Sequence, residues 1–511
     1  MPSRQSFFLI NKANIPLRVV GVFWVILLLA GCSSLSTNTN TDYRESVVTE
    51  RDALSGALAD ELSRESASVA GLTAGAEVAD GAEQTAGPTV SLAQLLDDPQ
   101  LAALINKSLE ANPGLQQTLF TLKQSRSQAR MSGAARLPDA DLDVSGERTE
   151  GSDDSFSSAV SVSWELDLWS KLDDSYSAAL AGVAEQEALF QAAQDSLVAD
   201  VMDAWMNLIQ LNRTLWIQQQ RVEARDQYLQ STIQRYRTGI GAVDDLDSAR
   251  SSLASARADL ADDEYQLAEA RRTLRGLVGV ATDDELEALG FALSDQFPAV
   301  GMPISELPEQ TLERRPDLKA AWHALEAAEF NVDVAYKDML PSLSLTAAFS
   351  DSGTSPSDAL FKNPVWSLLG QLSAPLFRGG ELKASARQAE YAQAEAAQAY
   401  REALLTAVTE VENAVDKEQT LTTRIAAIDE ALIGVRDNEA RYLLRYRAGL
   451  SSLQELLSVR QSRFDLEDSA NSLQYQHLTN RISLGLTLGL PGVASPTVNS
   501  SENPSAEETL K

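Results

Sequence analysis

The sequence predicts a mainly α-helical chain, built as a duplicated unit of long helical hairpins and strand pairs. Three observations predict it. There is no proline from Asp139 to Phe297 or from Leu376 to Leu490, and proline is costly inside helices. Apolar residues step 4-3-4 through Leu404, Val408, Val411 and Val415, and again through Leu421, Ile425, Ile428 and Leu432. Leu197, Val201, Ala204, Leu208, Leu211 and Leu215 keep the same rhythm, the 3.5-residue period of helices packed side by side. Finally, Arg235-Tyr236-Arg237-Thr238-Gly239-Ile240 returns as Arg445-Tyr446-Arg447-Ala448-Gly449-Leu450, a repeat.

Composition removes several function classes. The 511 residues carry 42 basic and 73 acidic side chains, a net charge of −31, so the chain repels nucleic acid. One Cys and two His, widely separated, exclude a disulfide framework and a Cys/His zinc site. At 44% hydrophobic residues the chain can bury a core.

Residues 1–31 read as a signal peptide. Arg4, Lys12 and Arg18 precede an apolar run from Val19 to Ala30 that is too short to span a bilayer. The run ends Leu29-Ala30-Gly31-Cys32, which resembles a bacterial lipobox; Cys32 would be acylated, palmitate among the chains, and become the new N-terminus. Ser33 follows instead of the Asp that retains lipoproteins at the inner membrane, so outer-membrane sorting is expected. Cleavage removes three positive charges and takes −31 to −34.

Residues 32–92, with ten acids against three arginines after Cys32, read as a lipidated, flexible tether. The first repeat, 93–290, is expected as a helix over about 100–135, a strand pair, a long helix over about 174–237, a reversal at Gly239 and a returning helix over about 241–278. Stacked end to end, the two shorter helices would match the long one, on the order of 95 Å at ~1.5 Å per residue. Asp141 to Ser145 and Ala159 to Leu166 alternate with period two, as half-buried strands do. A connection, 291–315, leads to the second repeat, 316–490, with strands at Ser342 to Ala347 and Val365 to Ser373 and a long helix over about 382–447. Residues 491–511 read as a disordered tail. Strands of this length suit a tilted membrane strand, with Trp164, Trp169 and Trp366 at or near their ends; a soluble sheet fits the pattern equally. Four strands cannot close a barrel, and an open edge is intolerable in lipid, so membrane strands would need several chains; three would give twelve strands.

Asp98-Pro99-Gln100-Leu101, Leu104-Ile105, Leu109 and Asn112-Pro113-Gly114-Leu115, followed by Trp164-Glu165-Leu166-Asp167-Leu168-Trp169, stand in an order that resembles the outer-membrane factor family, the TolC-type channels, in their lipoprotein, drug-efflux branch. Arg314-Arg315-Pro316-Asp317-Leu318, Leu340-Pro341-Ser342-Leu343, Pro375-Leu376-Phe377-Arg378-Gly379-Gly380 and Glu410-Val411-Glu412-Asn413-Ala414 continue the likeness to Leu490. Two departures stand out: Ser91 to Leu95 replaces an aromatic pair, and Ser170 replaces a glycine.

The resemblance implies a homotrimer with a twelve-stranded outer-membrane barrel and a periplasmic α-helical tunnel. Its partners would be outer-membrane lipid, a periplasmic adaptor and an inner-membrane RND-type pump; it would be no enzyme and would carry neither cofactor nor metal. It also implies that Gly239, Ile240, Gly449 and Leu450 are adaptor-docking tips, and that Tyr446 helps hold the entrance closed. Glu455 would form an acidic ring, with Ser458 where some relatives have a second acid, and Asp244, Asp245 and Asp247 would add charge at the mouth. The plainer reading is that acids at a helix start offset its dipole.

His323 and His477 read as structural, and no P-loop, nucleophile elbow or dinucleotide fingerprint occurs. The expected function is the channel of a tripartite efflux system exporting drugs and toxic small molecules. Two alternatives stay open: the channel of a type I protein secretion system, and a lipid-anchored periplasmic coiled-coil structural protein.

Overall fold

The computed structural model describes residues 43–58, 91–298 and 311–493, apart from positions 97 and 152. Residues 50–511 form one compact unit; of residues 1–49 only 43–49 are described, as the start of a helix. The signal segment, Cys32 and most of the acidic tether lie outside the described residues.

In chain order, α1 (43–58) precedes a 3₁₀ turn (Leu92–Leu95), α2 (Pro99–Ala111), α3 (Pro113–Ala134), β1 (Asp139–Glu147) and β2 (Ser155–Leu166). Next come α4 (Lys171–Arg237), α5 (Val243–Val278) and α6 (Asp283–Ala288). The second half repeats the plan with α7 (Thr311–Arg314), α8 (Pro316–Lys337), β3 (Ser342–Gly353), β4 (Val365–Ser373), α9 (Glu381–Arg447) and α10 (Leu453–Thr487). Both long helices, α4 and α9, have 67 residues, so each runs about 100 Å at 1.5 Å per residue.

The helix expected over 100–135 is two helices. Asn112 precedes Pro113 and is held extended, because proline crowds the helical conformation of its predecessor. Its side chain then works in both directions. Oδ1 accepts from Leu115 N at 2.9 Å and caps α3, while Nδ2 donates to Leu277 O at 2.9 Å at the end of α5. Thus α5 and α3 meet end to end beside α4. The second repeat builds the same joint with a different residue: Arg315 Nη1 donates to Thr487 O at 3.2 Å, where the end of α10 meets the start of α8. Each joint is closed by a left-handed glycine, Gly279 (φ 76°) and Gly489 (φ 73°).

Two stretches read as unstructured are partly ordered. Within the expected tether, 43–58 is helical, and its second half is tied down by Arg51–Glu313 (3.1 Å) and Glu50–Arg401 (2.9 Å). The start of the expected tail is fixed as well: Leu92 N donates to Pro491 O, Ala93 N donates to Gly492 O, and Gly492 N donates to the buried Asp195. Leu92, Leu95 and Leu96, standing where an aromatic pair was expected, are buried, with Leu92 and Leu95 against Gly485. The main core gathers Leu104, Ile105, Met202, Met206, Leu274 and Ile482, with Trp205 edge-on to Phe291 at 5.4 Å.

The four strands form one antiparallel sheet in the order β1-β2-β3-β4. β4 has the expected bounds, while β1, β2 and β3 run longer than the sequence pattern suggested, β2 and β3 reaching 12 residues each. Ser170 holds φ 60° where its counterpart Gly380 has φ 92°, so the first repeat tolerates a left-handed non-glycine at the strand-to-helix corner.

A left-handed glycine at a hairpin turn and one at a joint give a graded expectation. A Cβ on Gly239 meets no atom within 4 Å, so Gly239→Ala should cost only the left-handed penalty, about 1–2 kcal/mol. A Cβ on Gly279 would lie 2.5 Å from Ala111 O, so Gly279→Ala should lower the thermal unfolding temperature clearly more.

Candidate functional site: two helical tips and a two-faced sheet

Each helical hairpin reverses through the same hydrogen-bonded turn. Ile240 N donates to Arg235 O and Gly239 N to Tyr236 O; Leu450 N donates to Arg445 O and Gly449 N to Tyr446 O. This pattern needs a left-handed residue at its centre, which Gly239 (φ 77°) and Gly449 (φ 71°) supply. Ile240 and Leu450 are left 74% and 70% exposed at the apex, two apolar side chains facing water.

The acids flank these turns. Asp244 and Asp245 occupy the first turn of α5 and are exposed, and Asp247 pairs with Arg250 at 3.6 Å. Glu455 is committed to its own helix: it accepts from Ser452 N at 2.7 Å and Ser452 Oγ at 2.9 Å, while Ser452 Oγ accepts from Glu455 N. This reciprocal cap, led by the Ser452 backbone N–H, holds the Glu455 carboxyl below its ordinary pKa, so it stays ionised. Tyr446 is partly exposed near the end of α9, with Arg445 stacked over Tyr442 at 5.3 Å beside it.

The two hairpins are zipped along α4 and α10. Tyr475 OH donates to Asp203 (3.1 Å), Asn471 Nδ2 to Gln210 O (2.8 Å), and Thr214 Oγ1 to Asp468 (3.0 Å). Toward the tips, Arg221 pairs with Asp465 at 3.0 Å and Arg225 donates to Gln461 at 3.0 Å. A small apolar cluster of Ile217, Ala224, Leu457 and Phe464 fills the same seam. Residues of both repeats therefore share one end of the molecule.

Further along the second hairpin, Glu418 is buried between α9 and α10. It accepts from His477 Nε2 and Arg481 Nε at 2.8 Å each and from Asn480 Nδ2 at 3.3 Å. Burial opposes ionisation here, but the His477 and Arg481 hydrogen bonds and charges outweigh it and hold the carboxyl below its ordinary 4.5. At the corresponding positions 210 residues earlier stand Leu208, Leu267 and Ala270, all part of the apolar core or packed against it, and Arg271, which pairs instead with Asp283 and Glu287. In the first hairpin hydrocarbon takes the place of the acid and of two of its donors.

The register divides the sheet into two faces. One carries Leu142, Val144, Val160, Val162, Trp164, Leu345, Phe349, Trp366, Leu368 and Leu372. The other carries Asp139, Asp141, Asp143 and Glu147 of β1, Ser161, Ser163 and Glu165 of β2, and Ser344 and Thr346 of β3. No Lys or Arg lies within any of the four strands. Both edge strands, β1 and β4, are exposed along all nine of their residues. Trp164 Nε1 donates to Arg136 O and Trp169 Nε1 to Pro341 O, satisfying backbone carbonyls where strands join helices. Trp366 sits toward the opposite end.

The outer membrane efflux protein family model matches residues 104–280 and 307–490, the two repeats in turn. The chain belongs to this family. It is 29% identical over 428 residues to the pyoverdine export outer membrane protein OpmQ of Pseudomonas putida, covering 79% of this chain and 90% of that protein. The cation efflux system protein CusC of Escherichia coli is 27% identical over 400 residues, 77% of this chain and 87% of CusC. The probable outer membrane lipoprotein SilC of Salmonella typhimurium is 25% identical over 77% of this chain and 86% of its own length. Among solved structures, a crystal structure of CusC matches with a TM-score of 0.68 at 25% identity, covering 81% of this chain and all of that one. The outer membrane channel CmeC of Campylobacter jejuni shares the fold, with a TM-score of 0.72 at 21% identity, over 80% of this chain and 90% of its own. The protein is thus an outer-membrane efflux channel component, and the family is one of channels rather than enzymes.

Against this frame, the sequence located both tips but missed the acidic stripe of β1 and the Glu418 knot. The stripe was visible as an acid at alternate positions in Asp139-Ala140-Asp141-Leu142-Asp143. The knot carried no local signal, since its members come from two helices 59 or more residues apart.

Glu418→Ala should destabilise the hairpin by about 2 kcal/mol, because it removes from a buried position the acceptor that His477, Asn480 and Arg481 share. The folded-state pKa is lowered, so this stabilisation is present above the ordinary carboxylate range and is lost as pH falls below it. Thermal unfolding followed from about pH 6 down through and below the ordinary carboxylate range should show the wild type losing more stability than Glu418→Gln.

Proposed function

We propose that the protein acts as the outer-membrane channel of a tripartite efflux system, as a homotrimer lipidated at Cys32. The observation that carries this reading is the sheet: one face apolar, one polar, and two fully exposed edges of equal length, nine residues each. An open edge cannot persist in lipid, so β4 of one chain would pair with β1 of the next, and three four-stranded sheets would close a twelve-stranded barrel. The apolar face then meets lipid and the acidic stripe lines the water-filled lumen.

The helical ends would reach across the periplasm, where Gly239, Ile240, Gly449 and Leu450 dock an adaptor linked to an inner-membrane pump of the RND class. Exposed Ile240 and Leu450 suit an apolar contact with the adaptor. Tyr446 and Glu455, with Asp244, Asp245 and Asp247, would narrow and charge the entrance. The relatives' names point to different cargoes, pyoverdine for OpmQ and cations for CusC, so the cargo of this chain is assigned to the class of small toxic molecules selected by the pump. A type I protein secretion channel is the second reading on the same fold; the structural lipoprotein reading has no use for a two-faced sheet.

Single-channel conductance in planar bilayers tests the scheme. The wild type should show a small, cation-preferring conductance. Glu455→Gln keeps the side-chain cap on Ser452 and removes the charge, so a rise in conductance shared by Glu455→Gln and Glu455→Ala assigns the gate to charge. A rise in Glu455→Ala alone assigns it to the cap. Tyr446→Phe should also raise conductance, and if none of the three variants changes it, these residues do not gate. Replacing Asp139, Asp141 and Asp143 together by Asn should reduce cation preference without altering closure. Ile240→Asp with Leu450→Asp should abolish export in cells while leaving the trimer intact on mild-detergent gels.

A further inference from the structure

The segment joining β3 to β4, residues 354–364, folds back onto the sheet. Ser158 Oγ donates to Ala359 O, and Asp351 Oδ2 accepts from Asn363 N at 2.9 Å. Phe361 stacks on Phe349, with ring centroids 5.8 Å apart and planes 16° from parallel. The register shows which face this is. Ser158 pairs with Asp351, and Phe349 pairs with Val160, two residues further along each strand. Side chains two apart share a face, so all three contacts lie on the face of Val160, Val162, Trp164 and Leu345. That is the apolar face, at the end of the sheet away from the helices.

Ser158 and Asp351 are the polar exceptions on that face near its end, and the loop hides them: Ser158 is 1% and Asp351 8% exposed, beneath Ala359 at 3%. The cover is held in shape by Lys362–Asp358 at 2.9 Å and by Ser355 Oγ donating to Asp358 at 2.7 Å. Phe361 keeps a left-handed backbone, φ 52°, which is costly for an L-residue and is offset here by its stacking on Phe349. Leu360 is left 63% exposed, and Trp366, paired with Phe349 on the same apolar face, is exposed as well.

We propose that residues 354–364 form a strap on the lipid side of the barrel, seating Leu360 and Phe361 at the headgroup–acyl boundary of the outer leaflet. The inference rests on the sheet being a barrel wall with its apolar face outward. Lipid is the occupant because the patch continues the apolar wall, and because β2 and β3 are the inner strands, flanked by β1 and β4. A neighbouring chain joined at those edges does not reach it. The strap does two things: it shields two polar side chains from hydrocarbon, where each unsatisfied group is costly, and it adds an apolar and aromatic anchor at the interface.

The test uses the full chain in phospholipid vesicles, with single nitroxide labels at Leu360→Cys, Val162→Cys and Ser161→Cys, and collision rates with oxygen and a water-soluble nickel chelate. Unsubstituted protein treated with the same label measures any background from Cys32, the chain's one cysteine. Leu360 is already exposed, so its replacement removes no buried contact, and trimer migration on mild-detergent gels checks assembly. The expected result is oxygen-favoured collision at 162, nickel-favoured at 161, and at 360 a ratio between the two, as a site at the headgroup–acyl boundary requires. If 162 and 161 separate as stated but 360 collides like 161, the strap is overturned and the loop faces water or a soluble partner while the barrel stands. If 162 and 161 fail to separate, the barrel wall falls and the strap with it.

Discussion

The backbone of an edge strand has to be hydrogen-bonded, and in lipid water cannot do it. β1 and β4 each present nine exposed residues, so the sheet is incomplete as a single chain. Much else in the molecule serves that requirement. The duplicated unit supplies two strand pairs in one register, the tryptophans at the strand–helix corners satisfy carbonyls that would otherwise be stranded, and the long helices carry the polar path away from the membrane. The two-faced sheet has a use only if it separates lipid from water, and the acid-lined side then gives the lumen its sign.

The helical half obeys a different constraint. A 67-residue helix has no partner of equal length in either repeat, so each is matched by two shorter helices meeting at a joint. The joints are built alike, a left-handed glycine with a side chain reaching across to a terminal carbonyl, but Asn112 does this in one repeat and Arg315 in the other. Arg315 also pairs with Asp317 (2.8 Å) and Glu410 (2.7 Å), which ties its joint to α9. The same divergence recurs where Glu418, His477 and Asn480 stand in place of Leu208, Leu267 and Ala270. Hydrocarbon packing tolerates small slides, whereas a buried carboxylate with three donors holds one arrangement and is costly to break. The second hairpin is therefore fixed at a discrete point that the first lacks.

Residue by residue, local chemistry was legible and distant chemistry was not. Gly239 and Gly449 announced the turns because few other residues adopt that backbone conformation cheaply. Glu455 was correctly placed beside the second turn, yet its reciprocal bond with Ser452 gives it a capping role that competes with the electrostatic one. The break at Asn112-Pro113 had a local signal, the proline, but the apolar rhythm ran across it and suggested one helix. The helical segment 43–58 was hidden by composition: its acids and small residues resemble a solvated tether, and its anchors, Glu313 and Arg401, lie hundreds of residues away.

The sequence by itself determined the duplication, the two long hairpins, the strand pairs and the family, because proline exclusion, the 3.5-residue period and tight-turn glycines are local properties written in consecutive residues. Only the tertiary structure decided which face of the sheet carries the acids, that α4 and α10 are zipped by Asp203–Tyr475 to Arg225–Gln461, that Glu418 is knotted by three donors, and that residues 354–364 lie over the apolar face. Each of these depends on register or on contacts between residues far apart in the chain. A one-residue slip in a strand, or a quarter-turn of a helix, would leave the sequence pattern unchanged and reverse what touches what.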